Sequence, residues 1–425
     1  KVSDGSGNYS NGIKTPNLDK LASDGVRFTQ SYSTYPLCTP ARASLFTGLY
    51  SHNNDVGFNL KKDSILDQAE IIPTLGKTFK DAGYNVAYFG KEHAGGYGYA
   101  SATEFGSMMH SNGGMLAEGS AYDPIFTEDA IQYVQAQKGD KPFFMTLSLI
   151  NPHDICRVLG GKVAGATFTD AIHFARNDKE PYLRYQPRPN VPENHDIIYE
   201  KGMILHKDFM YYEVFGLNKD EWRRFISTYQ LLIENTDRHI GQLIKSVQNK
   251  GISDNTIIIF TTDHGEMAGS HKLIAKTTFY EESSKIPVII KYPKIIKPKT
   301  VNENALISTI DIMPSLLDLA GLSIPVDLDG RSFKNEILYP NNKENEFNVV
   351  YSQNQFGRMV RFDKFKYVKS IVYGKRYEIL FDIKNDPLES KNLINKFEYK
   401  EVAEKGRNLL DKWLKDENTF LINQR

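Results

Sequence analysis

Short, nearly continuous apolar segments alternate with helical patterns along this chain. The apolar segments are residues 85–89, 142–149 and 256–260, and each follows a stretch with helical periodicity. Strands that are apolar on both faces are typical of sheets covered on both sides. The alternation therefore predicts an α/β sandwich, in which helices enclose a large, mainly parallel or mixed sheet.

The helical patterns cover residues 15–22, 72–82, 126–137 and 221–249. The first has the signature of a capped start, since Pro16 follows Thr15 and occupies the first helical position. Gly83 and Gly251 are placed to end the second and fourth helices.

Three polar clusters directly follow the three apolar strands. They are residues 90–93 (GKEH), 151–154 (NPHD) and 263–266 (DHGE). Ligands of open α/β sheets bind at the carboxyl ends of the strands. The three clusters are therefore predicted to meet in one site.

The chain is predicted to divide into a main domain, residues 1–340, and a smaller α+β domain, residues 341–425. In the smaller part, residues 358–361, 366–369 and 378–382 have the pattern of short antiparallel strands, and residues 399–414 that of a closing helix. Residues 156–218 contain several prolines and no regular periodicity. We expect this stretch to form an irregular insert on the substrate side of the cleft.

Composition excludes several partners. The 52 basic and 52 acidic residues give a formal net charge of zero, so neither nucleic acid nor an acidic membrane surface is expected as a partner. No apolar run approaches the roughly 20 residues that span a bilayer. The two cysteines make no disulfide framework and leave the cellular compartment open. The sequence begins with Lys1, so it is uninformative about a signal peptide in a precursor.

Cys38 is the candidate nucleophile. Residues 38–48 (CTPARASLFTG) place it just before a helix with an early proline, where the helix amino end favours negative charge. Arg42 lies one turn further along the same helix. A lone cysteine at such a position is more often a buried structural residue, so the choice depends on the whole pattern.

That pattern resembles the signature of the formylglycine-dependent type I sulfatases of the alkaline phosphatase superfamily, Cys-x-Pro-x-Arg followed by Thr-Gly. The chain also matches the family at residues 15–19, 25–28, 254–256, 380–382 and 385–387. Within the family it resembles the bacterial polysaccharide and carbohydrate sulfatases. The resemblance implies an alkaline-phosphatase-like sandwich with a small carboxy-terminal antiparallel sheet and helix. It also implies that a formylglycine-generating enzyme oxidises Cys38 to an aldehyde.

The resemblance implies roles for further residues. Lys91 and Lys276 would bind sulfate, and Arg42 would hold the formylglycine. His93 would take a proton when sulfate is expelled, and His153 would contact sulfate and protonate the leaving alcohol. Histidine suits both tasks, because its ordinary pKa lies near neutrality.

Asp263 and His264 are the candidate metal ligands, and the resemblance implies Ca²⁺. The family supplies two further acidic ligands from a first strand, which would lie upstream of Lys1 and is missing from this sequence. A site with two protein ligands is expected to bind its ion weakly. The missing strand is also expected to leave a central sheet edge exposed.

The sequence therefore predicts a hydrolase that removes sulfate from a sulfated poly- or oligosaccharide, and by resemblance a periplasmic or secreted one. Two alternatives stay open: a phosphonate monoester or phosphodiester hydrolase of the same superfamily, and an inactive homologue that binds sulfated glycans. Four residues are candidates for substrate specificity, namely Asp154, Arg157, Arg184 and His206.

Overall fold

The structure is a computed structural model that describes residues 13–57, 72–94, 104–109, 119–156, 189–203, 217–340 and 347–415, with the backbone alone at 104–109, 414 and 415. The predicted insert at 156–218 lies mostly outside the described residues. Arg157, Arg184 and His206 also lie outside them.

Helices and strands alternate as predicted. The helices are α1 (Pro16–Ser23), α2 (Cys38–Thr47), α3 (Leu75–Asp81), α4 (Gly119–Ala136), α5 (Lys219–Asn249), α6 (Glu281–Ser284), α7 (Ile312–Leu319), α8 (Lys334–Leu338) and α9 (Lys400–Lys415). The strands are β1 (Val26–Tyr32), β2 (Asn85–Lys91), β3 (Glu104–Met109), β4 (Phe143–Ser148), β5 (Ile258–Thr261), β6 (Lys285–Lys291), β7 (Thr300–Asn302), β8 (Ile307–Ser308), β9 (Val349–Gln353), β10 (Gly357–Phe362), β11 (Phe365–Val372) and β12 (Lys375–Asp382).

Two sheets carry the predicted apolar strands. One is parallel, with the order β3-β2-β4, and pairs Asn85 with Phe143. The other has the order β5-β6-β1-β7, with β8 also paired to β1. In this second sheet β6 runs antiparallel to both β1 and β5, while β7 and β8 run parallel to β1. The sheet architecture is therefore mixed.

Strands β1 and β6 have no counterpart in the predicted elements. Four of the seven residues of β1 are polar, and Pro287 interrupts the apolar run of β6. Neither segment therefore has the pattern that predicts a buried strand. Both are nevertheless central, and their pairing sets the order of the whole sheet.

One apolar core joins the two sheets. Phe28 of β1, Tyr88 of β2 and Val288 of β6 are buried in it, and Phe144 of β4 and Ile259 of β5 pack against it. Among the described residues β4 and β5 are end strands of their sheets, and every residue of each is partly exposed.

The starts of two helices differ from the prediction. Helix α1 follows Thr15, but the Thr15 side chain makes no capping hydrogen bond. Instead, the Asp237 carboxylate of α5 accepts from the backbone N–H groups of Asn17 and Leu18, at 3.2 and 2.7 Å. Helix α4 starts at Gly119 rather than 126, because its first turns accommodate Pro124, which reads in sequence as a helix break.

The carboxy-terminal sheet is antiparallel, with the order β12-β11-β10-β9. Helix α9 packs on one face, where Phe362, Tyr367 and Leu410 are buried together. The other face shares a core with the main body, in which Met359 and Phe381 meet Phe279. Among the described residues, none of the helices combines the length and apolarity needed to cross a bilayer.

Candidate active site

Cys38 is the first residue of α2 and is buried. The preceding residue, Leu37, is extended, and its carbonyl oxygen accepts the Ala41 N–H at 3.0 Å as the first helical hydrogen bond. The N–H groups of the first turn therefore face the region around the thiol. This helix end carries partial positive charge, which favours an anion beside Cys38.

Arg42 connects the carboxyl ends of three strands. Its Nε donates to Asp263 Oδ2 at 2.8 Å, just beyond β5. Its Nη1 donates to the Lys91 carbonyl at 3.1 Å, at the end of β2, and to Ser148 Oγ at 2.8 Å, at the end of β4. The Arg42 guanidinium thus joins the three strand ends that were predicted to meet.

Asp263 and His264 lie directly beside the thiol. His264 Nδ1 donates to the Gly265 carbonyl at 2.8 Å, and His264 Nε2 lies 3.2 Å from Cys38 Sγ. Asp263 Oδ1 accepts from the His264 backbone N–H at 3.0 Å. Burial alone would raise the pKa of Asp263, but His264 and Arg42 outweigh it and hold that pKa well below its usual range.

The surroundings of Cys38 stabilise negative charge. Burial alone would raise the pKa of the Cys38 thiol, but Lys276, His264 and Lys91 together hold that pKa well below its ordinary value. Cations that can stabilise a thiolate at this point can also stabilise another small anion there. The field of the site therefore suits an anionic substrate group.

Both predicted sulfate-binding lysines are buried, at 2% exposure for Lys91 and 5% for Lys276. Burial lowers the pKa of Lys91. For Lys276, burial acts in the same direction, but the negative charges of Cys38 and Glu266 outweigh it and raise the pKa. Two buried lysines in one place are costly in a protein interior, which is typical of a functional site.

His153 lies in the field of the same lysines. Burial first, and then the positive charges of Lys91 and Lys276, hold the pKa of His153 well below its ordinary value. Its ring is therefore neutral near pH 7. The Nδ1 atoms of His153 and His93 are buried and have no hydrogen-bond partner within the described ranges. His93 follows Lys91 by two residues and has a left-handed backbone, with φ of 44°.

Two carboxylates hold the turn that carries His153. Asp123 of α4 accepts from the Ile150 and Asn151 backbone N–H groups at 2.7 and 3.0 Å, and burial raises its pKa to about 6. Asp154 accepts from the Gly119 and Ser120 N–H groups, both at 2.8 Å. The Asp154 carboxylate thus caps α4, and its predicted role in substrate specificity stays a prediction.

Among the described residues, one group of side-chain atoms could together ligate a metal ion. It consists of Cys38 Sγ, one carboxylate oxygen of Asp263 and one ring nitrogen of His264, all within 4.8 Å of one another. The ionised Asp263 carboxylate and, in its neutral form, the His264 imidazole are suitable donors for a divalent cation. The described residues therefore fit part of a metal-ligand set, with two of the expected donors.

Sequence reasoning missed Ser148 and Glu266. Ser148 ends β4 at the same sheet edge as the three polar clusters, so its position after an apolar strand is the signal that could have identified it. Glu266 follows Asp263 in the third polar cluster and accepts from the Ala275 backbone N–H, next to Lys276. Glu266 and Ala275 are nine residues apart along an irregular loop, so no periodicity in the sequence indicates their contact.

Comparison with known proteins agrees with these features. The sulfatase family profile matches residues 3–322, and the profile of the N-sulphoglucosamine sulphohydrolase carboxy-terminal region matches residues 269–416. A Delta 4,5-hexuronate-2-O-sulfatase of Bacteroides thetaiotaomicron is 27% identical, over 93% of this chain and 83% of its own length. An ulvan-active sulfatase of Formosa agariphila is 28% identical, over 91% and 73%.

The fold is also similar to that of solved sulfatases. The structure of a 2-O GAG sulfatase superposes with a TM-score of 0.78 at 26% identity, covering 95% of this chain and 87% of its own. The profile match spans well over half of the sequence, including Cys38, Arg42, Lys91 and Asp263. This protein therefore belongs to the sulfatase family of hydrolases.

Proposed function

We propose that this chain removes sulfate from a sulfated poly- or oligosaccharide, so that the sulfate ester and water give an alcohol and inorganic sulfate. The observation that carries the proposal is the charge environment of Cys38. Three cationic or polar groups, Lys91, Lys276 and His264, stabilise negative charge at the amino end of a helix, against the effect of burial. Such an arrangement suits a nucleophile that attacks an anionic sulfate.

Lys91 and Lys276 are proposed to bind the sulfate oxygens. Both ammonium groups are buried, so their attraction for an anion is weakly screened by solvent. Arg42 is already bonded to Asp263, Ser148 and the Lys91 carbonyl, so its role is to hold the nucleophile and the strand ends in register. The lysines therefore provide the substrate-binding charge.

His153 is proposed to donate a hydrogen bond to the leaving oxygen and to contact sulfate. In the free site its ring is neutral, because burial and Lys91 and Lys276 disfavour a further positive charge. A bound sulfate ester would partly neutralise these lysines and so favour protonation of His153. His93, next to the same strand end, is proposed to accept the proton when sulfate is expelled.

Two groups complete the proposed chemistry. Formylglycine, made from Cys38 by a formylglycine-generating enzyme, would supply a hydrated aldehyde whose two hydroxyls allow attack on sulfur and later release of sulfate. A divalent cation, with Ca²⁺ as the proposed ion, would polarise the sulfate oxygens, and Asp263 and His264 would hold it.

The names of the relatives guide the choice of substrate. One is named for a hexuronate 2-O-sulfate and another for ulvan. We propose a sulfated glycan as substrate, with 2-O-sulfated hexuronates tested first. We also propose a periplasmic or secreted location, on the family resemblance alone. We also propose that residues 1–340 form the catalytic domain and residues 341–425 a smaller subdomain.

The test is a desulfation screen against sulfated mono- and oligosaccharides, with aryl sulfate and aryl phosphodiester assayed in parallel. We expect sulfate release from at least one sugar and preference for sulfate over phosphodiester. The Cys38→Ala variant is expected to release none. Faster turnover of the phosphodiester would favour the phosphonate or phosphodiester hydrolase, and glycan binding without turnover would favour the inactive homologue.

A further inference from the structure

Lys276 lies between two residues with left-handed backbone. Ala275 has φ of 65° and Thr277 has φ of 74°. Residues other than glycine seldom adopt this region, and a β-branched threonine there is strained by on the order of 1–3 kcal/mol. Such strain persists only where neighbouring contacts hold the backbone. The contacts around this turn therefore determine where the Lys276 side chain points.

The main body holds the first half of the turn. Glu266 Oε1 accepts from the Ala275 N–H at 2.5 Å, and the Ala275 carbonyl accepts from the Met267 N–H at 2.8 Å. The Thr277 N–H donates to the Pro36 carbonyl at 2.8 Å, two residues before Cys38. These bonds join the turn to the segment that leads into α2.

The carboxy-terminal sheet holds the second half. Asn354, in the turn between β9 and β10, donates from its side-chain amide to the Thr277 carbonyl at 2.9 Å. The other side-chain atom, Oδ1, accepts from the Phe356 N–H at 3.0 Å, so the amide is fixed in orientation. Asn354 is buried, at 3% exposure, and bridges its own turn to the backbone next to Lys276.

Lys366 of β11 makes a second connection three residues further on. Its ammonium donates to the Phe279 carbonyl at 2.7 Å and to Glu389 Oε1 at 2.8 Å, and lies 2.9 Å from Glu281 Oε1. Glu389 also accepts from the Glu281 backbone N–H at 2.6 Å. Lys366 is fully buried, so this network is a rigid anchor rather than a surface ion pair.

We propose that Asn354 and Lys366 of the carboxy-terminal sheet are positioning residues for Lys276. They hold the carbonyl groups of Thr277 and Phe279, and thereby keep the Lys276 ammonium aimed at the anion site beside Cys38. The carboxy-terminal antiparallel sheet thus contributes to the anion-binding site by positioning Lys276. This inference rests on the proposed role of Lys276 in sulfate binding.

The experiment compares Asn354→Asp with the matched variant Asn392→Asp. In the first, an oxygen replaces the amide donor that faces the Thr277 carbonyl, while the acceptor for Phe356 N–H is kept. Asn392 lies in the same carboxy-terminal part, and its Oδ1 accepts from the Leu380 and Ile394 N–H groups, both at 3.1 Å. Two quantities are measured for each protein: the rise in Tm with inorganic sulfate, and the KM and kcat for a sulfate ester.

We expect Asn354→Asp to weaken sulfate binding and raise KM on the order of 10- to 100-fold, the usual effect of misplacing a binding group by about 1 Å. Asn392→Asp should keep the wild-type values of both. Because the buried carboxylate of Asn354→Asp could also unfold the protein, Asn354→Ala is the second variant. It removes the amide donor to the Thr277 carbonyl without burying a charge, and the same loss of sulfate response is expected.

Equal sulfate response and KM in Asn354→Asp, Asn354→Ala and the wild type would overturn the positioning role. If Asn354→Asp does not fold, Asn354→Ala alone decides between the two outcomes. A wild-type protein that neither turns over sulfate esters nor responds to sulfate would instead contradict the proposed function. The two failures are therefore distinguishable.

Discussion

The Arg42 guanidinium lies 2.8 Å from the Asp263 carboxylate and joins the amino end of α2 to the carboxyl end of β5. The same guanidinium bonds Ser148 Oγ and the Lys91 carbonyl, so the ends of three strands converge on a single side chain. Both partners are largely buried, at 14% and 12% side-chain exposure. This contact holds Asp263 and His264 beside Cys38.

Loss of this ion pair is expected to destabilise the fold strongly. Arg42→Met leaves the Asp263 carboxylate buried without its partner, and a broken buried pair costs about 3–5 kcal/mol. The surface pair of Lys77 with Asp81 is the control, since exposed pairs contribute only about 0–1 kcal/mol. Denaturant unfolding of Arg42→Met and Lys77→Met measures both. Equal losses would show that Arg42 is not a structural link between the strands.

The Glu389→Gln variant tests the buried network of Lys366, Glu281 and Glu389 through the pH dependence of stability. Burial raises the pKa of Glu389 from 4.5 to about 8, and Lys366 offsets only part of this effect. A raised carboxyl pKa means that the folded state binds the proton more tightly, so stability is lost as pH rises from the unfolded value through the folded one. The variant should therefore gain stability relative to the wild type between pH 4.5 and 8.

Glu378→Gln is the control with the opposite sign. The hydrogen bond from Arg407 lowers the pKa of Glu378, so its contribution is present above the unfolded pKa and lost on acidification. Its variant should be less stable than the wild type near pH 7, and the difference should disappear at low pH. Thermal unfolding at a series of pH values gives both differences. A pH-independent difference for Glu389→Gln would contradict the assignment.

Thr277→Gly should be less destabilising than Thr278→Gly by about 1 kcal/mol or more, because glycine relieves the strain of a left-handed residue. Thr277 has φ of 74°, whereas its fully buried neighbour Thr278 donates to Met267 Sδ from an unstrained backbone. Chemical denaturation measures the two free energies of unfolding. If Thr277→Gly proved the more destabilising of the two, the turn around Lys276 would not be strained.

The sequence predicted the meeting of the strand ends better than the order of the strands. Apolar strands that end in polar clusters placed Lys91, His153 and Asp263 at one sheet edge, while their roles came from the family resemblance. The antiparallel entry of β6 between β5 and β1 depends on pairing between distant segments, which local periodicity does not encode. Likewise, the capping of α1 by Asp237 joins residues about 220 positions apart.

Positioning contacts were the least predictable part of the site. Asn354, Lys366 and Glu389 lie in a region whose pattern indicated only short strands. Asn354 and Lys366 bind carbonyl groups of the segment around Lys276. These groups lie within reach only because the carboxy-terminal sheet packs against the main body. No spacing in the sequence marks such contacts.

Metal binding is expected to show as a rise in Tm with added Ca²⁺, since a ligand of the native state stabilises it. With two described donors, Asp263 and His264, the rise should be small and require high Ca²⁺. It should be lost in Asp263→Asn and kept in Asp411→Asn, which alters a surface ion pair with Lys369. An unchanged response in Asp263→Asn would place any bound ion elsewhere.

Cys38 is proposed as the precursor of the nucleophile. Mass spectrometry of the peptide that contains Cys38 tests this most directly, in protein purified from its native host, with the Cys156 peptide as internal control. We predict that the Cys38 side chain is converted from a thiol to an aldehyde, while Cys156 keeps its thiol. An intact thiol at Cys38 in such protein would show that Cys38 is not this precursor.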